Sequence, residues 1–208
     1  MAYKNLIREN INKKNIYITG NTIVDLIRQN KDKIKNNKNN IVLCTIHRRE
    51  NFGINFKIIC MNIKNLAKKF PNLNFIFVAH PNKNIKNYVP IYLGKLKNLR
   101  IIKPLSFIET LNYIVSSTAI ITDSGGIQEE ATTLNKYCLV VRKITERVES
   151  VKSGNCYLTG LKKKNFLKFM HLILRKKNNI LNTKILIKKT FGDGYASQKI
   201  IKVLNQYG

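Results

Sequence analysis

The residues best suited to chemistry lie in one short stretch, from Ile121 to Ala131, whose residue types predict a strand, a glycine turn and a helix. Gly125 and Gly126 allow the backbone to turn sharply and to approach a ligand closely. The first turn of the following helix has N–H groups without intrahelical acceptors, and these groups together with the helix dipole favour anions. The stretch therefore predicts a phosphate-binding turn.

Two side chains beside this turn have matching chemistry. Ser124 stands at the N-cap position, where its hydroxyl can cap the helix or donate to a phosphate. Glu130 follows about one helical turn later, where a carboxylate can accept hydrogen bonds from sugar hydroxyls. The alternative is an ordinary capped helix in which Glu129 and Glu130 only offset the helix dipole. Glycines and a cap alone favour that alternative, so the rest of the chain has to decide.

The elements that must position this turn are strands and helices in alternation. Apolar runs predict the strands, and spaced apolar residues predict the helices. This alternation predicts an α/β protein with a Rossmann-like, doubly wound parallel sheet. The predicted strands cover 16–20, 41–46, 75–79, 99–102, 118–122 and 137–141, with a short last strand at Leu158. The predicted helices begin at 21 and 127 and cover 55–70, 84–93, 107–115, 165–175, 180–189 and 195–206.

Polar clusters follow four of these predicted strands. His47, His80 and Ser124 each come directly after a strand, and the segment Arg142 to Arg147 follows a fourth. Ligands of doubly wound sheets bind at the carboxyl ends of the strands, where these clusters converge. The convergence favours a binding site over four unrelated loops.

The charge of the chain suggests a different partner. The 208 residues carry a formal net charge of +27, a balance typical of proteins that bind nucleic acid or anionic membranes. The excess is Lys, scattered together with Asn and Ile through every segment, and A/T-biased codon usage produces such a composition without a selected partner. Basic residues are not interleaved with aromatic ones, as they are on a single-strand platform. We expect no nucleic-acid partner, and keep a basic nucleic-acid-binding module as an alternative.

The cysteines and the apolar runs indicate the compartment. Cys44, Cys60, Cys138 and Cys156 stand singly among apolar residues, which favours buried thiols in a reducing compartment over a zinc site or disulfides. No signal peptide is visible in the polar first ten residues, and no apolar run reaches the ~18 residues of a membrane helix. We expect a cytoplasmic protein with no membrane partner, no metal and no cofactor.

Five blocks of the sequence carry a family resemblance: Gly20-Asn21-Thr22, Thr45-Ile46-His47-Arg48-Arg49-Glu50-Asn51, Thr122 to Ala131, Arg142-Lys143-Ile144-Thr145-Glu146-Arg147 and Phe191-Gly192-Asp193-Gly194. Taken together, they resemble the C-terminal domain of the non-hydrolysing UDP-N-acetylglucosamine 2-epimerases. They occur in the family's order and with compatible spacing over nearly the whole chain. The blocks at 45–51 and 122–131 are highly specific.

The resemblance implies one half of a two-domain architecture. The family has two Rossmann-like domains in the glycosyltransferase-B arrangement, with the nucleotide sugar between them. We expect a connector at 1–15, a UDP-binding Rossmann-like domain at 16–190 and a C-terminal helix at 191–208. The family's N-terminal domain is not represented, so the chain resembles a truncated form.

The resemblance also implies how the glycine turn is used. Ser124, Gly125 and Gly126 are expected to hold the diphosphate at the helix start, and Glu130 to take the ribose hydroxyls. Arg147 is expected to neutralise phosphate charge, a task that suits a forked guanidinium. The alternative for Arg147 is a surface ion pair with an acidic neighbour, either Glu146 or Glu149.

Three further residues are implied by the block at 45–51 and by the next strand end. His47 is expected to be catalytic and to contact the substrate beside the departing UDP. Arg48 and His80 match positions that bind a second UDP-sugar as an activator in some bacterial members. Without the resemblance, His47 is more often a strand-end cap, and His80, before Pro81, is more often a turn residue.

The implied reaction interconverts UDP-GlcNAc and UDP-ManNAc by eliminating UDP and adding it back after C2 is reprotonated on the other face. The acidic residues expected to handle the C2 proton belong to the N-terminal domain. We therefore expect little turnover from this chain alone, and a homodimer or a complementing N-terminal fragment as a partner. A hydrolysing relative that releases ManNAc and UDP stays open.

Overall fold

A computed structural model describes residues 2–37, 40–80, 87–177 and 187–207. Its centre is a sheet of six strands that pair in parallel in the order β3-β2-β1-β4-β5-β6. This is the strand order of dinucleotide-binding Rossmann folds. The predicted doubly wound parallel sheet is therefore confirmed. The strands are β1 Ile41–Thr45, β2 Asn74–Val78, β3 Leu99–Ile102, β4 Ser117–Thr122, β5 Cys138–Val140 and β6 Cys156–Leu158.

Helices cover both faces of this sheet. Alternate residues of β1 point to opposite faces, so Val42 joins one core and Leu43 the other. The first core packs against α3, α4 and α8, and the second against α2, α5 and α6. The helices are α1 Ala2–Arg8, α2 Thr22–Gln29, α3 Ile54–Lys69, α4 Val89–Leu93, α5 Phe107–Ser116, α6 Gly125–Thr133, α7 Val148–Lys152, α8 Lys163–Lys177 and α9 Ala196–Leu204.

The strand order reverses between β1 and β4. The chain runs outward from β1 through β2 to β3, and then returns to place β4 on the other side of β1. The loops that leave β1 and β4 therefore diverge, and the crevice between them is where ligands of this architecture bind. In the part of the chain that the structure describes, no helix is long and apolar enough to cross a membrane.

The predicted strand at 16–20 is wrong. In the part of the chain that the structure describes, this segment pairs with no strand. Instead the Asn21 amide donates to the Phe191 carbonyl at 2.7 Å. Gly20 has a φ of +95° and lies against Gly192, where a β-carbon would stand 3.2 Å from the Gly192 Cα. The glycines let two backbones cross closely, and this long-range contact outweighs the strand propensity of Ile16 to Thr19.

Two predicted helices fall partly outside the described residues. Of the helix expected at 84–93, the described part forms α4 from Val89 to Leu93. Of the helix expected at 180–189, only the end is described, where a 3-10 turn begins at Lys189. The proposed connector at 1–15 contains α1, in which no residue is buried.

Candidate functional site

The crevice begins where β1 and β4 end side by side. The hydroxyls of Thr45 and Thr122 are 2.8 Å apart, and these two residues are the last of their strands. The Thr122 hydroxyl also accepts a hydrogen bond from the Ser124 amide at 3.0 Å. Both loops therefore leave the sheet from one fixed point.

Asp123 ties these two loops together. Its carboxylate is fully buried and accepts hydrogen bonds from the amides of His47 at 3.1 Å and Arg48 at 2.9 Å. The side-chain amide of Asn51 adds a third donor at 2.8 Å. A buried carboxylate is stable only when such donors replace its water. Asp123 thus shapes the whole 47–51 loop and sets where His47 stands.

The glycine turn has the predicted cap geometry. Ser124 is the N-cap of α6, and its hydroxyl accepts from the Ile127 amide at 3.5 Å, a long bond. Among the described residues, no acceptor is found for the amides of Gly125 and Gly126, as expected of a first helical turn. Gly126 is exposed and Gly125 is buried. Two backbone donors at a helix N-terminus therefore lie beside the crevice at the carboxyl end of β4.

Arg147 covers the buried side of this turn. A β-carbon on Gly125 would stand 3.1 Å from the guanidinium carbon of Arg147, so the guanidinium lies directly against the glycine. The partner of Arg147 is Glu129, whose Oε1 accepts from Nε at 2.7 Å, and not Glu146 or Glu149 as in the surface-pair alternative. The structure thus places a cation beside the two free amides.

The backbone of Arg147 is also held against α6. Its amide donates to the Thr145 hydroxyl at 3.1 Å, and that hydroxyl donates to the Gln128 side chain at 2.7 Å. The Gln128 side-chain amide in turn donates to the Ser124 carbonyl at 3.0 Å. This chain of bonds fixes the segment that follows β5 onto the helix that follows β4.

Glu130 is a buried carboxyl without its full set of partners. Its Oε2 atom is inaccessible to solvent, and no described residue forms a hydrogen bond with it. Burial raises the pKa of Glu130 to about 7, and the neighbouring charge of Glu129 adds to this effect. Such a group favours a ligand that brings hydroxyl donors.

The two predicted histidines come together, although they follow different strands. The rings of His47 and His80 stack with centroids 5.7 Å apart and an angle of 21° between their planes. The His47 Nδ1 atom lies 3.7 Å from the Asp123 carboxylate. The pair forms the β1–β2 side of the crevice, across from the α6 turn.

Arg48 joins a group of ion pairs that links the loops after β1 and β5. Its guanidinium lies 3.9 Å from Glu50 and 4.0 Å from Glu146. The more buried Arg142 holds Glu146 with two hydrogen bonds of 2.7 and 3.0 Å and Glu50 with one contact of 3.0 Å. The hydrogen bonds from Arg142 lower the pKa of Glu146 to about 2. The group keeps the two loops in register at the edge of the site.

The first and last of the five blocks also meet in space. In addition to the Gly20–Gly192 crossing, the buried Asp25 accepts from the amides of Ala196 at 2.9 Å and Ser197 at 2.7 Å, which caps α9. An open groove of about 810 Å³ runs from this crossing to Arg147. These blocks position the chain ends beside the site.

Sequence reasoning missed Asp123, Glu129 and Arg142 as parts of the site. Asp123 and Glu129 lie inside the block at 122–131, and Arg142 opens the block at 142–147. The available signal for these residues was therefore that they lie inside blocks that resemble the family. Their partners lie between 4 and 76 residues away in the sequence, so their roles follow only from the fold.

An anion-binding helix start at the switch point of a parallel sheet, with an arginine beside it, defines a Rossmann-like domain suited to a phosphate-bearing ligand. The profile of the UDP-N-acetylglucosamine 2-epimerase family matches residues 1–205. The chain belongs to this family, and the resemblance drawn from the five blocks is confirmed.

Individual relatives agree with this assignment. A UDP-N-acetylglucosamine 2-epimerase of Campylobacter jejuni is 36% identical over 97% of this chain and 57% of its own length. The crystal structure of the Neisseria meningitidis UDP-GlcNAc 2-epimerase bound to UDP-GlcNAc superposes with a TM-score of 0.84 at 32% identity, over 99% of this chain and 59% of that one. The Methanocaldococcus jannaschii enzyme in complex with UDP-GlcNAc and UDP gives 0.84 at 33%, over 100% and 59%. The chain therefore spans less than three-fifths of the length of these relatives.

Proposed function

We propose that this chain is the UDP-binding half of an isomerase that interconverts UDP-GlcNAc and UDP-ManNAc. The observation that carries the proposal is the α6 start, where two free backbone amides, the Arg147 guanidinium and the partly unpaired Glu130 carboxyl lie within two helical turns. Diphosphate oxygens suit the amides and the guanidinium, and ribose hydroxyls suit Glu130. The solved relatives bound to UDP-GlcNAc and UDP support this ligand class.

The same groups suit the proposed chemistry. Elimination of UDP develops negative charge on the diphosphate, and donors already oriented toward that charge lower the barrier most effectively. Ser124 adds a hydroxyl at the same helix start. His47 faces the crevice from the β1 side as the proposed catalytic residue beside the leaving group. The ion-paired Arg48 and the stacked His80 form the proposed second, activating UDP-sugar site.

Turnover needs groups that the described residues do not bring to this site. Abstraction and return of the C2 proton require an acid and a base, which the family resemblance assigns to the N-terminal domain. We propose that these carboxylates come from a complementing polypeptide that carries such a half. A homodimer of this chain, the other expected partner, would bring a second UDP-binding half and not these carboxylates. Which half supplies them also decides between epimerisation and the hydrolysing alternative.

An apolar surface beside the groove supports a covering half. It is formed by exposed apolar residues between positions 6 and 18 and between 201 and 207, and the most exposed of them is Ile18, at 77%. Exposed apolar patches of this kind mark interaction sites. Its other members are Leu6, Ile11, Tyr17, Ile201, Leu204 and Tyr207.

Calorimetric titration with UDP tests the proposal. We expect the wild-type chain to bind UDP, and Arg147→Ala to weaken binding by ~10-fold or more, because a hydrogen bond to a charged group contributes ~1.5–3 kcal/mol. Arg100→Ala removes the same charge from an exposed position on β3 and is the matched control, with no more than a ~2-fold effect expected.

Two outcomes would contradict the proposal. Unchanged affinity in Arg147→Ala would remove Arg147 from the site. A folded wild-type chain that ignores UDP but binds duplex DNA with steep salt dependence would favour the nucleic-acid alternative.

A further inference from the structure

Glu129 is an acidic residue that lies beside the proposed diphosphate site, because it pairs with Arg147, and helix electrostatics alone would predict a minor role for it. A carboxylate beside a diphosphate opposes binding unless its charge is compensated. The Glu129 side chain is 14% exposed and its Oε1 accepts from the Nε of Arg147 at 2.7 Å. The compensation is therefore direct, and it comes from the residue proposed to bind phosphate.

Glu129 does not occupy the terminal guanidinium nitrogens of Arg147. Glu129 engages Nε, and this is the one side-chain hydrogen bond of Arg147 found among the described residues. The two terminal nitrogens, which form the fork that binds phosphate, are not used by Glu129. The guanidinium is held flat against Gly125, whose built β-carbon would lie 3.3 Å from Nη2.

Without Glu129 the guanidinium has no comparable anchor. The Arg147 side chain is 33% exposed, and its backbone contact with Thr145 does not restrict its outer torsions. A free arginine side chain must lose rotamer freedom when it binds a ligand, and this loss opposes binding. An anchor at Nε removes that freedom before the ligand arrives.

We infer that Glu129 is a positioning residue, which holds the Arg147 guanidinium over the α6 start so that its terminal nitrogens face a diphosphate. This inference rests on the proposed UDP-binding function. It predicts that affinity depends on a hydrogen-bond acceptor at position 129 more than on the negative charge there. Glutamine keeps an acceptor oxygen at the same reach, whereas alanine does not.

The experiment measures UDP affinity by calorimetry for Glu129→Ala, Glu129→Gln, Arg147→Ala and the double variant Glu129→Ala/Arg147→Ala. We expect Glu129→Ala to bind ~5–10-fold more weakly and Glu129→Gln to stay within ~3-fold of wild type, which corresponds to ~1–1.4 kcal/mol for the anchor. In the Arg147→Ala background, Glu129→Ala should cause no further loss. Asp32→Ala removes an exposed carboxylate elsewhere and is the matched control.

A second readout does not need UDP. The Nε–H proton of Arg147, followed by NMR on ¹⁵N-labelled protein, should be protected from exchange in the wild type and in Glu129→Gln, and unprotected in Glu129→Ala. If the wild type fails to bind UDP, the proposed function fails, and this signal still decides whether Glu129 holds Arg147.

Three results would overturn the inference. Tighter UDP binding by Glu129→Ala would make Glu129 a competitor for Arg147. An equal loss in the wild-type and Arg147→Ala backgrounds would show that Glu129 acts through helix stability alone. An Nε–H proton that exchanges rapidly in the wild type would show that Arg147 is not held.

Discussion

Asp123 and Glu130 lie on the same strand–turn–helix unit, seven positions apart in the sequence, and the structure treats their carboxylates in opposite ways. Asp123 is surrounded by donors from the 47–51 loop, whereas one oxygen of Glu130 is buried and receives no hydrogen bond from the described residues. A satisfied buried carboxylate stabilises a fold, and an unsatisfied one costs free energy until a ligand supplies donors. The first end of the unit is therefore structural, and we propose that the second receives a ligand.

The difference between Asp123 and Glu130 follows from their positions in the chain. The structural end comes directly from β4, where the backbone is fixed by the sheet and by the Thr45–Thr122 contact. The Glu130 end lies on α6, beside the proposed ligand site. Binding sites often combine a well-bonded part with a part that lowers the stability of the fold, as the Asp123 and Glu130 ends of this unit do.

The largest effect should follow the removal of the Asp123 carboxylate. Asp123→Ala leaves the His47 and Arg48 amides and the Asn51 side chain without their acceptor, so we expect the free energy of unfolding to fall by ~3–5 kcal/mol. Urea denaturation measures this loss. Asp32→Ala is the exposed control, with a change below ~0.5 kcal/mol. A loss as small as the control's would mean that Asp123 is not the structural end of the unit.

Glu130→Gln should have the opposite sign and should depend on pH. The pKa of Glu130 rises from 4.5 to about 7 on folding, so the folded state retains a proton that the unfolded chain releases, and stability falls as the pH rises through this range. The variant removes this penalty, which is ~3 kcal/mol at pH 8 and below ~1 kcal/mol at pH 5. Urea denaturation at both pH values measures the gap.

The control for that measurement is Glu9→Gln, which makes the same change at an exposed position. A Glu130→Gln variant that is less stable than wild type at pH 8 would show that the Glu130 carboxylate is satisfied after all. The two ends of the unit would then be alike.

The sequence predicted the strands and helices around this site better than the contacts between them. The sequence located all six strands of the sheet, and the signal is strongest in β1 and β4, because a strand buried on both faces gives a continuous apolar run. The partners of Asp123 are 72 to 76 residues away, and no local pattern encodes such a meeting. For the same reason the surface-pair alternative for Arg147 names the nearby Glu146 and Glu149, whereas α6 brings Glu129 to it from 18 residues away. The Ile16–Gly20 segment failed as a strand because its contact with Gly192 lies at the other end of the chain.

The smallest expected effect is on stability and concerns the two glycines between the carboxylates. Their substitution tests how far the structural end of the unit extends into α6. A β-carbon at Gly125 would lie 3.1 Å from the Arg147 guanidinium carbon, whereas one at exposed Gly126 would meet only the Ser124 hydroxyl at 3.8 Å. Alanine is the better helix former by up to ~1 kcal/mol, so Gly126→Ala should gain stability and Gly125→Ala should not. We expect a difference of ~1 kcal/mol in urea denaturation, which should disappear in an Arg147→Ala background because the obstructing guanidinium is gone. If the two glycine variants still differ in stability in that background, the cause is the α6 backbone and not contact with the Arg147 guanidinium.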